Sequence, residues 1–169
     1  MAARRALIVV AALPVALALA FAFSQSRQSV VEHRDRAFGC AVWRGDIAGM
    51  RLWRLLGSDP ARVVPGMGPP VVIAGWSGRV EAIGWLLDRG ADANQRDRFG
   101  WTALIAAAGE NHAGAVMYLL SRGADINLCG GDGSALHLAR TRHHAELARL
   151  FESLGARELF GHEPGCVGF

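Results

Sequence analysis

The chain has 169 residues, 51% hydrophobic and 20% charged, with a formal net charge of +3. That length suits one domain of ordinary size, and the apolar content excludes an intrinsically disordered chain. All 18 basic residues are arginine, and setting aside Arg4 and Arg5 leaves 16 of them against 15 acids. Composition therefore does not point to a nucleic-acid-binding protein, and the lysine-free, Ala- and Gly-rich usage points to a GC-rich bacterial gene.

In chain order, residues 1–5 form a short basic head. Residues 6–23 then run without a charge or a hydrogen-bonding side chain until Ser24, Gln25 and Ser26. As a helix this run would rise about 27 Å, close to the roughly 30 Å hydrocarbon core of a bilayer. Small residues at Ala18, Ala20 and Ala22 suit signal cleavage, and Pro14 would kink a retained helix. A cleaved signal peptide and a single N-terminal transmembrane anchor both remain open. Either one exports the rest of the chain to the cell envelope or periplasm when the short head stays in the cytoplasm. Arg27, Arg34 and Arg36 beyond the run nearly balance Arg4 and Arg5 before it. A reversed, cytoplasm-facing scaffold is therefore a further alternative. Residues 24–35 read as a polar linker.

Beyond the linker the chain repeats itself. Gly90-Ala91-Asp92-Ala93-Asn94 returns as Gly123-Ala124-Asp125-Ile126-Asn127. At the same offset Leu86-Leu87 matches Leu119-Leu120, Ile83 matches Val116, Ala74 matches Ala107 and Val71 matches Leu104. Two apolar helical patterns per period of about 33 residues point to a solenoid of stacked units. Gly90 and Gly123 stand where a second helix must turn through left-handed backbone space. Asp92, Asn94, Asp125 and Asn127 are suited to satisfy the loop that follows. Thr102 and Ser134 are placed to cap first helices. Ala106, Ala107 and Ala108 leave a narrow face for close stacking.

These residues resemble the ankyrin repeat family. The stretch Asp97-Arg98-Phe99-Gly100-Trp101-Thr102-Ala103-Leu104 through Asn127 follows one full unit, and Ser134-Ala135-Leu136-His137-Leu138-Ala139 is a partial match to its Thr-Pro-Leu-His-x-Ala signature. The resemblance implies an all-α solenoid of about four helix-turn-helix units with β-hairpin-like loops over residues 36–157. The units fall at 36–63, 64–96, 97–129 and 130–157, and 158–169 form a loose tail or cap. Gly100, Leu104 and His137 are signature positions, with His137 expected to hydrogen-bond loop backbone. The first unit departs from the pattern. Leu52, Leu55 and Leu56 read as shifted by two positions, and an irregular linker is expected over residues 64–70 in place of a hairpin. The fourth unit lacks one residue after Gly133.

The resemblance further implies a non-catalytic protein-binding module that uses its hairpin tips and the concave face of its first helices. The exposed positions carried over are Trp43 and Arg44, Trp76 and Ser77, Glu110 after Gly109, and Thr141 and Arg142. The third hairpin tip adds Arg96, Arg98, Phe99 and Trp101. Trp43 and Trp76 are expected to stack in adjacent units. Trp and Arg dominate interface hot spots. Packing of the two tryptophans against the linker is the competing reading, and Trp53 and Trp85 on second helices read as structural. The expected partner is an unknown protein, with no nucleic acid, with membrane contact through residues 6–23 if these are retained, and with the chain a monomer.

No cofactor or metal site is expected, since no spacing among His112, His137, His143, His144, His162 and Cys166 forms a preformed cage. Cys40 reads as a buried thiol. Cys129 and Cys166 are able to pair in an oxidising compartment, although free thiols are the leading expectation. The competing function is a periplasmic thiol or metal protein built on Cys129, Cys166 and the histidines.

Overall fold

A computed structural model describes residues 27–161 and Cys166. The apolar run at 6–23, with its signal-or-anchor readings, lies outside these residues. Among the described residues no helix is long and apolar enough to cross a membrane. The chain falls into two compact units, residues 1–34 and 35–169. In the first, residues 27–34, which fall within the expected polar linker, are helical.

The second unit holds four helix pairs. They are α1 (residues 35–44) with α2 (Ile47–Leu55), α3 (Pro70–Trp76) with α4 (Val80–Leu87), α5 (Ala103–Gly109) with α6 (Ala113–Ser121), and α7 (Ala135–Thr141) with α8 (Ala145–Ser153). Two short strands, β1 (Cys129–Gly130) and β2 (Gly133–Ser134), pair antiparallel ahead of α7. First helices pack on first helices, α3 along α5 and α5 along α7, and second helices follow with α4 along α6.

The period is written in the backbone. Between the helices of each pair stands one left-handed residue: Gly45, Gly78, Asn111 and His143, with φ of 73°, 65°, 61° and 61°. The first two intervals between them are equal and the last is shorter by one, so the fourth unit is contracted, as expected. The next residue is the N-cap of the second helix in every case. At His112 and His144 the ring Nε2 reaches back to the preceding unit, to the Trp76 carbonyl at 3.1 Å and the Gly109 carbonyl at 2.9 Å. These histidines tie neighbouring units together.

Loop polar groups are satisfied by the repeat's own side chains. Asp59, Asp92 and Asp125 each accept a hydrogen bond from the amide two residues on, at 2.9 Å. Asn94 accepts from the Asp125 amide of the next unit at 2.8 Å, and Asn127 accepts from the Arg157 amide at 2.9 Å. Thr102 and Ser134 cap α5 and α7 through the amides of Ile105 and His137 at 3.3 Å, each cap worth about 1 kcal/mol. The core runs the length of the stack, with Ile83, Leu86, Leu104, Val116, Leu119, Leu147 and Phe151 buried. First helices approach closely: a Cβ on Gly75 would lie 2.5 Å from the Ala103 carbonyl oxygen.

Several expectations are corrected here. The register of the first unit is not shifted: left-handed Gly57 stands one full period before Gly90, Met50 is buried, and Leu52, Leu55 and Leu56 are exposed. They extend the apolar count without entering the core. Residues 64–68 are not an irregular linker. Val64 and Gly68 form an antiparallel bridge, with the Val64 amide donating to Gly68 at 2.8 Å and the Met67 amide to Val64 at 3.0 Å. The hairpin at 97–101 makes the same two bonds, Asp97 to Trp101 and Gly100 to Asp97. Pro65 followed by Gly66 at φ 78° has the residue pattern of a type II turn. Cys40 is exposed, because Phe38, Ala41 and Val42 take the buried side of α1.

Cys129 and Cys166 form a disulfide, contrary to the leading expectation of free thiols. The described tail, residues 158–161, is a cap rather than a loose end. The Ser134 amide donates to the Leu159 carbonyl at 2.8 Å, and the Leu159 amide donates to Ser134 Oγ at 3.1 Å. His137 meets Glu158 at 3.4 Å and the edge of Phe160, not the loop backbone expected of it.

Candidate partner-binding site

The hairpins at 64–68 and 97–101 project side by side, and between them lies a cleft of about 290 Å³. Pro65, Met67 and Trp76 give it apolar walls, and Arg96, Arg98 and Phe99 form the opposite rim. Phe99 is 55% exposed. The Arg98 guanidinium lies over its ring, 4.7 Å from the centroid.

The cleft is backed by a column of side chains from three units. Trp76 of α3 stacks on Trp101, ring centroids 4.6 Å apart and planes 17° from parallel. Trp101 is 5% exposed, and its Nε1 donates to Asp132 at 3.0 Å. The Arg142 guanidinium lies 5.9 Å from the Trp101 ring and donates to the Gly109 carbonyl at 3.0 Å and to Glu110 at 2.6 Å. Each member is held by a polar partner or a neighbouring ring, so the floor needs little ordering when something binds, which lowers the entropic cost of association. The rim is held likewise. One Asp97 oxygen accepts from the amides of Phe99 and Trp101, both at 2.8 Å. Arg96 Nη1 donates to the carbonyls of Gly100 and Cys129.

Of the residues expected to bind a partner, the structure brings Trp76, Arg96, Arg98 and Phe99 together at this cleft. Trp101 sits behind it, buried, where a tip contact was expected. Trp43 is 50% exposed and, with Arg44, stands at the end of α1 outside the cleft. Trp76 stacks on Trp101, the ring one unit onward, and not in the expected pair with Trp43. Ser77 and Thr141 donate back to carbonyls of their own helices, Ile73 and His137 at 3.2 and 3.0 Å. Glu110 and Arg142 are paired with each other. Sequence reasoning missed Pro65, Met67 and Asp132. The first two were legible in principle, because they stand one period before Arg98 and Gly100. Trp85 is buried and Trp53 packs against the core, as structural residues do.

Cys129 is engaged in its disulfide and carries no free thiolate. Among the described residues no three or more His, Cys, Asp or Glu side chains converge as metal ligands.

The family model for ankyrin repeats in three copies matches residues 71–157. Over 76 residues the chain is 36% identical to protein phosphatase 1 regulatory subunit 27 of Homo sapiens, covering 45% of this chain and 49% of that protein. It is 47% identical over 58 residues to the mitochondrial disaggregase of Bos taurus, covering 34% of this chain and 8% of that one. Alpha-latrocrustotoxin-Lt1a of Latrodectus tredecimguttatus is 34% identical over 110 residues, covering 64% of this chain and 7% of the toxin. The chain spans half or less of the length of these relatives. The matched stretch takes in half of the chain, and the backbone turns of the second, third and fourth units repeat within it: the chain belongs to the ankyrin repeat family.

Proposed function

We propose that the chain is a non-catalytic interaction module working at the cell envelope, which grips a partner protein between the hairpin tips of its second and third units. The observation that carries this is an open cleft with an exposed aromatic and two arginines, backed by a rigid column of rings. Such a constellation fits the composition of interface hot spots. Two features support export. Residues 6–23 form an apolar run behind a basic head, and the Cys129–Cys166 disulfide belongs to an oxidising compartment. The disulfide also weakens the thiol and metal alternative, since it consumes two of the three cysteines.

The test is capture of one partner from an envelope extract by the full chain and by two variants. Phe99→Ala removes the exposed ring, and Leu55→Ala removes an exposed leucine outside the cleft. Loss of capture with Phe99→Ala alone, at unchanged melting temperature, supports the reading. Equal capture by all three overturns it. A reporter fused at the C-terminus checks the side of the membrane.

A further inference from the structure

We infer that the cleft between residues 64–68 and 97–101 selects an acidic peptide segment that inserts one large apolar side chain. This rests on the proposed use of the cleft as the partner site and adds the chemistry of what it takes.

The charge around the cleft is net positive. Arg96 and Arg98 line it, and among the described residues neither forms an ion pair with a carboxylate. Some arginines elsewhere in the stack are paired, Arg122 with Asp88 at 2.6 Å, Arg142 with Glu110 at 2.6 Å and Arg140 with Glu152 at 2.7 Å. What sets Arg96 and Arg98 apart is that they stand together at an apolar cleft. The acid lining the cleft is Asp97, one oxygen of which is held by the two amides of its own turn. Two cations against one anion leave the lining net positive, and neither arginine is paired with that anion. A carboxylate from outside would find Arg98 exposed and Arg96 fixed through its Nη1 to two backbone carbonyls, with its remaining N–H donors still to be matched. Guanidinium groups held in place are suited to planar, two-point recognition of carboxylates.

The walls argue for the apolar half of the ligand. Met67, Pro65, the Trp76 ring and the Phe99 ring present carbon to a space of about 290 Å³. Small-molecule pockets run from about 300 to 1,000 Å³, so this space suits a single anchoring side chain better than a whole cofactor. An aromatic or leucine anchor would bury the exposed part of Phe99 while flanking carboxylates meet the arginines. A basic segment would place like charges against Arg96 and Arg98, which costs affinity and slows encounter.

The experiment uses three synthetic peptides of equal length sharing one Phe and one Leu. The flanking residues are Asp and Glu in the first, Ser and Gln in the second, and Lys and Arg in the third. Each is titrated into the full chain by fluorescence anisotropy. The acidic peptide is expected to bind about tenfold tighter than the neutral one, with the basic one weakest. Arg98→Glu should erase the preference, while Arg149→Glu, the same charge change on the exposed side of α8, should leave it intact. Equal binding of all three peptides, lost on Phe99→Ala, overturns the acidic selectivity and leaves the cleft as a partner site. A preference for the basic peptide does the same. Absence of binding by any peptide overturns the assignment of the cleft itself.

Discussion

The hairpins at 64–68 and 97–101 are closed by the same backbone hydrogen bonds, yet they share almost nothing in sequence and turn differently. Left-handed Gly66 and Gly68 stand where the third unit has Phe99 and Trp101, and left-handed Gly100 stands where the second has Met67. At Asp97 the turn is tied by a carboxylate that accepts two amides. At Val64 the same position is a side chain only 1% exposed, packed against the Gly39 region of α1, and the turn is preset by Pro65 and Gly66. One hairpin is fastened by polar bonds from within, the other by burial and restricted dihedrals. In a stack of units the neighbours fix where a loop leaves and returns, and each loop closes that gap by its own local means. A third hairpin, Cys129 to Ser134, adds yet another means, a covalent bond to the tail.

Exchanging the fastenings tests this difference. The largest effect is expected from Val64→Asp, which copies the third-unit residue into the second. The carboxylate would be buried without a partner, and stability should fall by on the order of 3 kcal/mol or more in urea unfolding. A neutral result would mean that the two hairpins are interchangeable. Next comes Cys166→Ser. The bond closes a loop with a sequence separation of 37, so its loss should cost about 2–4 kcal/mol, with a matching drop on adding a dithiol reductant. Asp97→Ala leaves two turn amides without their acceptor and should cost about 1–2 kcal/mol. Its effect should exceed that of Pro65→Ala, since Pro65 contributes only dihedral restriction. The smallest of the series are Gly66→Ala and Gly100→Ala, both at left-handed φ. Each should lose about 1 kcal/mol in the same urea unfolding, whereas Phe99→Ala and Met67→Ala, at the equivalent positions of the other hairpin, carry no such backbone cost. A neutral Gly66→Ala or Gly100→Ala would mean that the left-handed turn is not needed there.

The repeat itself was legible because its signals are local. Gly90, Asp92, Asn94 and their counterparts at 123, 125 and 127 act within a few residues or on the adjoining loop, and Thr102 and Ser134 cap their own helices. What escaped reading depends on the next unit. Val64 looks nothing like Asp97, so residue type hid a hairpin that only the repeat spacing could have placed, and what holds Val64 there is burial against α1. Trp101 reads as a tip residue by position, yet Trp76 and Arg142 from the flanking units close over it. The leucines at 52, 55 and 56 look like core, but the period alone, traced from Gly57 to Gly90, shows they cannot be. His137 fits the signature, and its partner Glu158 lies in a tail for which the repeat offers no template. Of the site, the residue types at 96, 98 and 99 were readable from one unit. The cleft was not, since its other wall comes from the hairpin that went unrecognised.

The tail begins as a fifth unit would. The Arg157 amide meets Asn127 as the Asp125 amide meets Asn94, and the chain then bends to bond Ser134 and Cys129. The fourth unit thus receives from residues 157–159 contacts of the kind one unit gives the next. For assembly this makes the two ends unequal. Head-to-tail growth into a filament requires two complementary surfaces on every copy. Here the C-terminal one is occupied by the chain's own backbone and held there by a covalent bond, so that face of the fourth unit is not free to receive the first helix pair of a second copy.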